Sequence, residues 1–372
     1  MADYERDAEM DDTLRKHGQL GVEAPSRREF LSALATVGTG AVVAPGWEPP
    51  QRALNSASPR LIDVHHHVFP PDFVKNLETH NPQASTWTSA WPWTPQKSLA
   101  EMDRHGVATA IISIPAPGSW GEGQAARSLT RMCNEYSARL SRDNPGRFGF
   151  FAALPLPDAE GSLQEIGYAI DMLKADGVGL MTNYGDKYLG DPAFAPVLEE
   201  LNRRKVVVHV HPMGVGGKNV VLGVPNPWAE LPHETTRAVL SLLTSGSLVR
   251  LRDIRFIFSH AGGTIPMLAG RIDETTRFVD NFASKAPNGF EYELKRLHYD
   301  IAVSADPPAM AALKNLVPSS QIIFGSDYPI EPIAVTAGRM TKLGLSNTEL
   351  QAIGHENASA LFRRSTINMR TR

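Results

Sequence analysis

From residue 59 onward the chain repeats one unit, and that repeat restricts its fold more than any other feature. Eight short runs rich in β-branched and aromatic residues occur in order: 61–65, 108–114, 147–154, 177–181, 206–211, 254–260, 297–301 and 321–325. Most are almost continuously apolar, as "ATAIISI" and "VVVHVH" are, which marks parallel strands covered on both faces. Between them, apolar residues recur three and four apart over 98–106, 124–143, 161–177, 194–205, 234–251 and 348–362, the period of helices with one buried stripe. Eight strand–helix units predict an α/β fold of the (β/α)8 TIM-barrel type, with a doubly wound open sheet as runner-up. No glycine-rich phosphate loop opens any of the helices, so the nucleotide-binding form of the open sheet loses ground.

The 372 residues, 42% of them hydrophobic, suffice for one large core or two small ones. A net charge of −3 with no basic stripe argues against nucleic acid. Cys133 is the only cysteine, so intramolecular disulfides and thiolate clusters are excluded and any metal must be held by nitrogen and oxygen. No apolar run is long enough to span a membrane; the nearest, residues 30–44, is interrupted by Gly, Ser and Thr. It follows the pair Arg27–Arg28, and that order of regions is the layout of a twin-arginine export signal. Pro45, directly behind the best cleavage point, departs from it. The reading is therefore a signal segment and flexible linker over 1–58 and a single catalytic barrel over 59–372. The protein is expected in the periplasm or beyond, and in the cytoplasm if the signal is not used.

The histidines are placed at one phase of the repeat. "LIDVHHHVFP" carries His65, His66 and His67 at the end of the first strand. Alternation puts His65 and His67 on one face and His66 on the other. The fifth strand ends in His209 and His211, the sixth in His260, and the eighth runs into Asp327. Barrel enzymes build their sites at these C-terminal strand ends, and scattered structural histidines have no reason to share them. The pattern points to a metal site with a proton-transfer group beside it.

"DVHHH", "VHP", "SHAGGTIP" and "GSDYP", in that order, resemble the amidohydrolase superfamily. They are most similar to its decarboxylase branch, typified by the aminocarboxymuconate-semialdehyde, γ-resorcylate and 6-methylsalicylate decarboxylases. "LPHETTRAV", "ADPPAMAAL" and "NPGRFGFFAALPLPD" extend the likeness over about 61–362. The resemblance implies one divalent ion, zinc first and manganese second, held by His65, His67, His211 and Asp327. His260 stays off the metal as a proton-transfer or orienting group, which makes His260 and Asp327 the catalytic pair. Of His209 and His211, the family pattern selects the one before proline, His211, and leaves His209 to hydrogen-bond behind the site. His66 is read as structural or loop-facing. The fourth strand, "GVGLM", holds no lysine, and Lys187 lies beyond it in a loop; a lysine-bridged pair of metals is not expected. Homo-oligomerisation, as dimer or tetramer, is implied by the resemblance alone.

The leading function is nonoxidative decarboxylation of an aromatic or unsaturated carboxylic acid such as a hydroxybenzoate, with Asp327 as proton donor to the ring carbon. The alternative is hydrolysis of a lactone, ester or amide at the same site; metal binding without catalysis would leave His260 without a role. Trp87, Trp91 and Trp93 either wall an aromatic substrate or pack their loop. No arginine lies between His67 and Lys97, where the aminocarboxymuconate branch carries one for a second carboxylate. A monocarboxylic substrate is therefore favoured. Asn183, Tyr184 and Arg237 are candidate substrate contacts.

Overall fold

The computed structural model describes residues 61–80, 93–115, 123–213 and 223–362. The expected signal and linker, and Trp87 and Trp91, lie outside these residues. Eight parallel strands follow one another around a barrel: β1 (Leu61–His67), β2 (Val107–Ser113), β3 (Phe148–Ala152), β4 (Gly177–Met181), β7 (Val207–His211), β8 (Arg255–Phe258), β9 (His298–Asp300) and β10 (Ile322–Ile323). A small antiparallel pair, β5 (Asn183–Tyr184) and β6 (Lys187–Tyr188), is inserted after β4, so Lys187 stands in a hairpin instead of a bare loop. Backbone bonds close the ring between first and last strands: Val64 N–H to Phe324 O (3.1 Å), Asp327 N–H to His65 O (2.7 Å) and His67 N–H to Tyr328 O (2.6 Å).

Helices pack outside the ring, among them α1 (Pro71–His80), α2 (Pro95–Arg104), α3 (Gly123–Asp143), α4 (Ala159–Gly167), α5 (Ala195–Arg203) and α6 (Glu230–Thr244). Their starts follow local chemistry. Thr94 caps the Lys97 N–H with Pro95 in the first turn, and Asp158 caps the Gly161 N–H. Three expected helices are interrupted, the one over 348–362 by a π-helical turn at Ala352–Glu356. The one expected over 161–177 passes into a π-helical turn, Tyr168–Met172, and the one over 234–251 breaks at Gly246, whose φ is 71°. That left-handed value is open to glycine at no steric cost.

The core has two layers. Outward-facing strand residues such as Ile112, Phe150, Val208 and Phe258 meet the helices. Inside the ring, Ile62, Val64, Ile111, Phe151, Val207, Ile257 and Ile323 form a separate apolar plug. Each such buried side chain contributes roughly 1.5–3 kcal/mol, so the plug is a rigid floor for whatever stands above it.

Candidate metal centre

The plug fixes which way β1 faces, and strict alternation from it gives the wrong answer. Ile62 and Val64 point into the ring, so an unbroken strand would turn His66 inward. The register against β2 slips there: Asp63 pairs with Ala110 and His66 with Ile112. Three steps on β1 thus match two on β2, which is a β-bulge, and a bulge resets the alternation. His65 and His67 therefore face inward above the plug, as the sequence reading expected, although by a route it did not contain. His66 is turned outward and fully buried, not loop-facing. Its Nδ1 donates to Asp63 Oδ2 (3.1 Å), and its Nε2 meets Ser98 Oγ on α2.

Above the plug the expected residues converge. His65 Nε2 lies 3.2 Å from His67 Nε2 and 3.2 Å from Asp327 Oδ1. His67 Nε2 lies 2.9 Å from the same oxygen, and its Nδ1 meets Ser113 Oγ at 3.1 Å. His260 Nε2 approaches the other Asp327 oxygen at 3.5 Å. Donor atoms of His65, His211, His260 and Asp327 all fall within 4.8 Å of one another. Among the described residues His211 has neither ring nitrogen hydrogen-bonded, and both are buried. Asp327 has φ 69° and His260 φ 55°. Non-glycine residues pay about 1–3 kcal/mol to sit there, a strain that recurs at functional sites.

The electrostatics ask for a cation. Burial would lower the His65 imidazole, but Asp300 and Asp327 override it and hold its pKa at about 10. Burial pushes His211 well below its usual value, and His67 and His65 push it the same way. Burial would raise Asp327, yet His65, His260 and His67 keep it well below the carboxylate range. The site thus holds two ionised carboxylates, at least one neutral imidazole without a partner, and a proton on His65 where positive charge is needed. Converging lone pairs of nitrogen and carboxylate oxygen repel one another unless a cation lies between them, and nitrogen-plus-carboxylate sets of this kind suit a divalent transition metal. The residues fit such an ion.

Sequence reasoning missed Asp300, at the end of β9. It receives His65 Nδ1 (3.1 Å) and His209 Nε2 (3.0 Å) on the same oxygen. The only available signal was a carboxylate at the phase where the other strands carry histidine. His209 sits one layer below His211, its ring stacked on Phe151 at 5.3 Å. Trp93 packs against the core near Tyr136, with its indole N–H buried and without a partner among the described residues. The candidate substrate contacts are engaged elsewhere. The Tyr184 hydroxyl is buried and accepts the Met181 N–H (3.0 Å), Asn183 bonds Thr182 and Gly185, and Arg237 pairs with Glu234.

A parallel eight-stranded barrel with imidazoles and a carboxylate gathered at its C-terminal rim defines a metal-dependent barrel enzyme. The chain belongs to the amidohydrolase family, whose model matches residues 62–364. It is 37% identical to the decarboxylase yanB of Aspergillus niger, over 82% of this chain and 87% of that one. It is 38% identical to the 6-methylsalicylic acid decarboxylase acuB of Aspergillus aculeatus, over 73% and 84%. Among solved structures, the dihydroxybenzoic acid decarboxylase of Polaromonas sp. JS666, with bound manganese and 2-nitroresorcinol, superposes with a TM-score of 0.70 at 21% identity, over 82% of this chain and 97% of that one.

Proposed function

We infer that this protein is a metal-dependent, nonoxidative decarboxylase whose substrate is a monocarboxylic hydroxybenzoate of the methylsalicylate type. The observation that carries the reading is the paired carboxylate and imidazoles at one strand-end cluster, with His260 Nε2 3.5 Å from the Asp327 oxygen that His65 and His67 leave free. The naming of its relatives as decarboxylases supports the reaction type. The absence of arginine between His67 and Lys97, and the engagement of Arg237 by Glu234, support a single substrate carboxylate.

His65, His67, His211 and Asp327 would hold one divalent ion, zinc or manganese. When bound, such an ion supplies Lewis-acid binding of the substrate carboxylate and its neighbouring hydroxyl. Asp327 rests as a carboxylate, so it must gain a proton before it can give one. The phenol O–H supplies it, with His260 orienting that hydroxyl. Asp327 then delivers the proton to the ring carbon that bears the carboxylate. The bond to CO₂ breaks, its electron pair restores the aromatic ring, and solvent reprotonates the phenolate. A positioned group of this kind is worth roughly 10²–10⁴ in rate.

Incubation with a panel of hydroxybenzoates and aryl lactones tests the proposal, because released CO₂ and ring-opened acid are distinguishable products. CO₂ with the matching phenol is the expected outcome. Lactone opening without CO₂ from any hydroxybenzoate would assign the same residues to hydrolysis. Export through the N-terminal segment is proposed on its sequence alone; among the described residues no helix is long and apolar enough to cross a membrane.

A further inference from the structure

We propose that Asp300 is the positioning carboxylate of the centre: it selects the His65 tautomer that offers Nε2 to the metal, and it fixes the His260 backbone so that the ring meets Asp327. The inference rests on the metal-centre reading above.

Asp300 is fully buried and both of its oxygens are saturated. Oδ2 receives His65 Nδ1 at 3.1 Å and His209 Nε2 at 3.0 Å; Oδ1 receives the backbone N–H of His260 at 3.1 Å and of Ala302 at 3.0 Å. An ionised carboxylate only accepts, so each imidazole nitrogen that touches it must carry the proton. His65 thus keeps its proton on Nδ1; without metal its Nε2 also carries a proton, 3.2 Å from Asp327 Oδ1, and Nε2 is the nitrogen left to lose that proton and take the ion. His209 is protonated on Nε2, which points at Asp300 and cannot ligate. The cluster of His65, His209 and Asp300, whose donor atoms also lie within 4.8 Å of one another, is thus a hydrogen-bonded support and not a second metal site.

The carboxylate is itself held on both sides. The Ala302 N–H returns to the side chain two residues earlier, a turn that fixes the carboxylate plane. The turn is tight enough to put the β-branched Val303 at φ 58°. Between the two, a Cβ added at Gly325, just beyond β10, would stand 2.8 Å from His65 Cβ and 3.1 Å from Asp300 Cβ; the backbone there clamps the His65–Asp300 pair and only glycine fits. On the third side, His260 and Ala261 occupy left-handed φ values of 55° and 57° in succession. The Asp300 oxygen that accepts the His260 N–H helps to hold that strained pair in place.

Asp300→Asn separates this role from bulk. The amide oxygen can still accept the two backbone N–H groups, but its NH₂ then opposes the protons of His65 and His209. His65 must shift its proton to Nε2 and so close the lone pair that faces the metal. The experiment measures the zinc dissociation constant by chelator competition for wild type, Asp300→Asn, Asp300→Ala and Gly325→Ala, with thermal unfolding as the check on folding. Loss of a carboxylate behind a metal-bound histidine typically costs about 10–100-fold in affinity, and that loss is expected for Asp300→Asn. Asp300→Ala should lose less, since water can satisfy the Nδ1 proton. Gly325→Ala should weaken zinc with the carboxylate intact. At saturating zinc, kcat of Asp300→Asn should fall while KM changes little, reporting the His260 half of the role. In ¹⁵N-histidine spectra of the zinc-loaded wild type, His65 should carry its proton on Nδ1.

A folded Asp300→Asn protein that binds zinc as tightly as wild type overturns the inference and leaves the metal centre standing. Equal losses in Asp300→Asn and Asp300→Ala overturn the tautomer argument, and an unchanged kcat at saturating zinc overturns the His260 part. A wild type that binds no divalent ion overturns the metal-centre reading and this inference with it.

Discussion

At the scale of single residues, the centre divides its histidines by what their second nitrogen does. Among the described residues His211 has no hydrogen bond on either nitrogen, so both are free for the metal bond proposed for it. Wild-type protein should carry one divalent ion per chain by elemental analysis. His65→Ala, His67→Ala and His211→Ala should each lower metal content and activity together. His260→Ala should keep the metal and lose roughly 10²–10⁴-fold in kcat. His209→Ala should lie between, because it removes one of the two imidazoles on Asp300 Oδ2 and touches no ligand position. A metal-free His260→Ala protein, or a His211→Ala protein that keeps its ion while His209→Ala loses it, would reassign the ligands. These residues were visible in the sequence because all stand at strand ends, where a side chain's height above the plug follows from its position in the repeat. Asp300 stood at the same height but was not legible, since its partner His65 is 235 residues away.

At the scale of elements, the bulge in β1 does what propensity cannot. Asp63 fills it: one carboxylate accepts the His65 N–H (3.1 Å), the Ser326 N–H (2.9 Å), the Ser326 hydroxyl (2.6 Å) and the His66 ring (3.1 Å). The network ties β1 to the loop that carries Asp327 and, through His66 and Ser98, to α2. Asp63→Ala should therefore cost about 3 kcal/mol or more, the usual scale for breaking a buried network. It should also release metal, because a relaxed strand would return His66 to the inner face. Denaturant unfolding and metal analysis on one sample check both. Lost stability with full metal retention would show that the bulge survives without Asp63. The helices were legible to within a few residues at their starts, where caps are local, and least so where π-helical turns interrupt them. Those turns respond to what the helix packs on, and sequence periodicity carries no record of that.

At the scale of the whole molecule, burial of neutral histidines sets a pH dependence. Burial pushes His209 and His298 down to about 4 in the folded chain, against 6.5 when unfolded. The folded state thus binds fewer protons than the unfolded state between those values. The stability is fully present above pH 6.5 and is lost as pH falls toward 4, by about 1.4 kcal/mol per pH unit for each such histidine. Thermal unfolding of metal-free protein should show the midpoint dropping through that window. His298→Asn, which leaves the metal centre alone, should flatten the slope by one proton; an unchanged slope would show that His298 does not titrate on unfolding. Removal of residues 1–44 should leave folding and metal content intact, and a loss of soluble protein on that truncation would show that the segment packs on the barrel.

What the sequence by itself determined is periodic and local: eight strands with their order, most of the helices between them, and the rim positions of His65, His67, His211, His260 and Asp327. Such features are legible because an apolar run or a cap exerts its effect within a few residues. What only the tertiary structure decided is which face and which proton. The β1 bulge turns His65 and His67 inward although Ile62 and Val64 already point there. Asp300, at the end of the strand next but one to β1 around the ring, holds the proton on His65 Nδ1. Both depend on ring closure, which brings β1 against β10 and leaves Gly325 too close to His65 for any side chain. Contacts across so many residues follow from the summed twist and packing of all eight strands, and no local stretch of sequence specifies that sum.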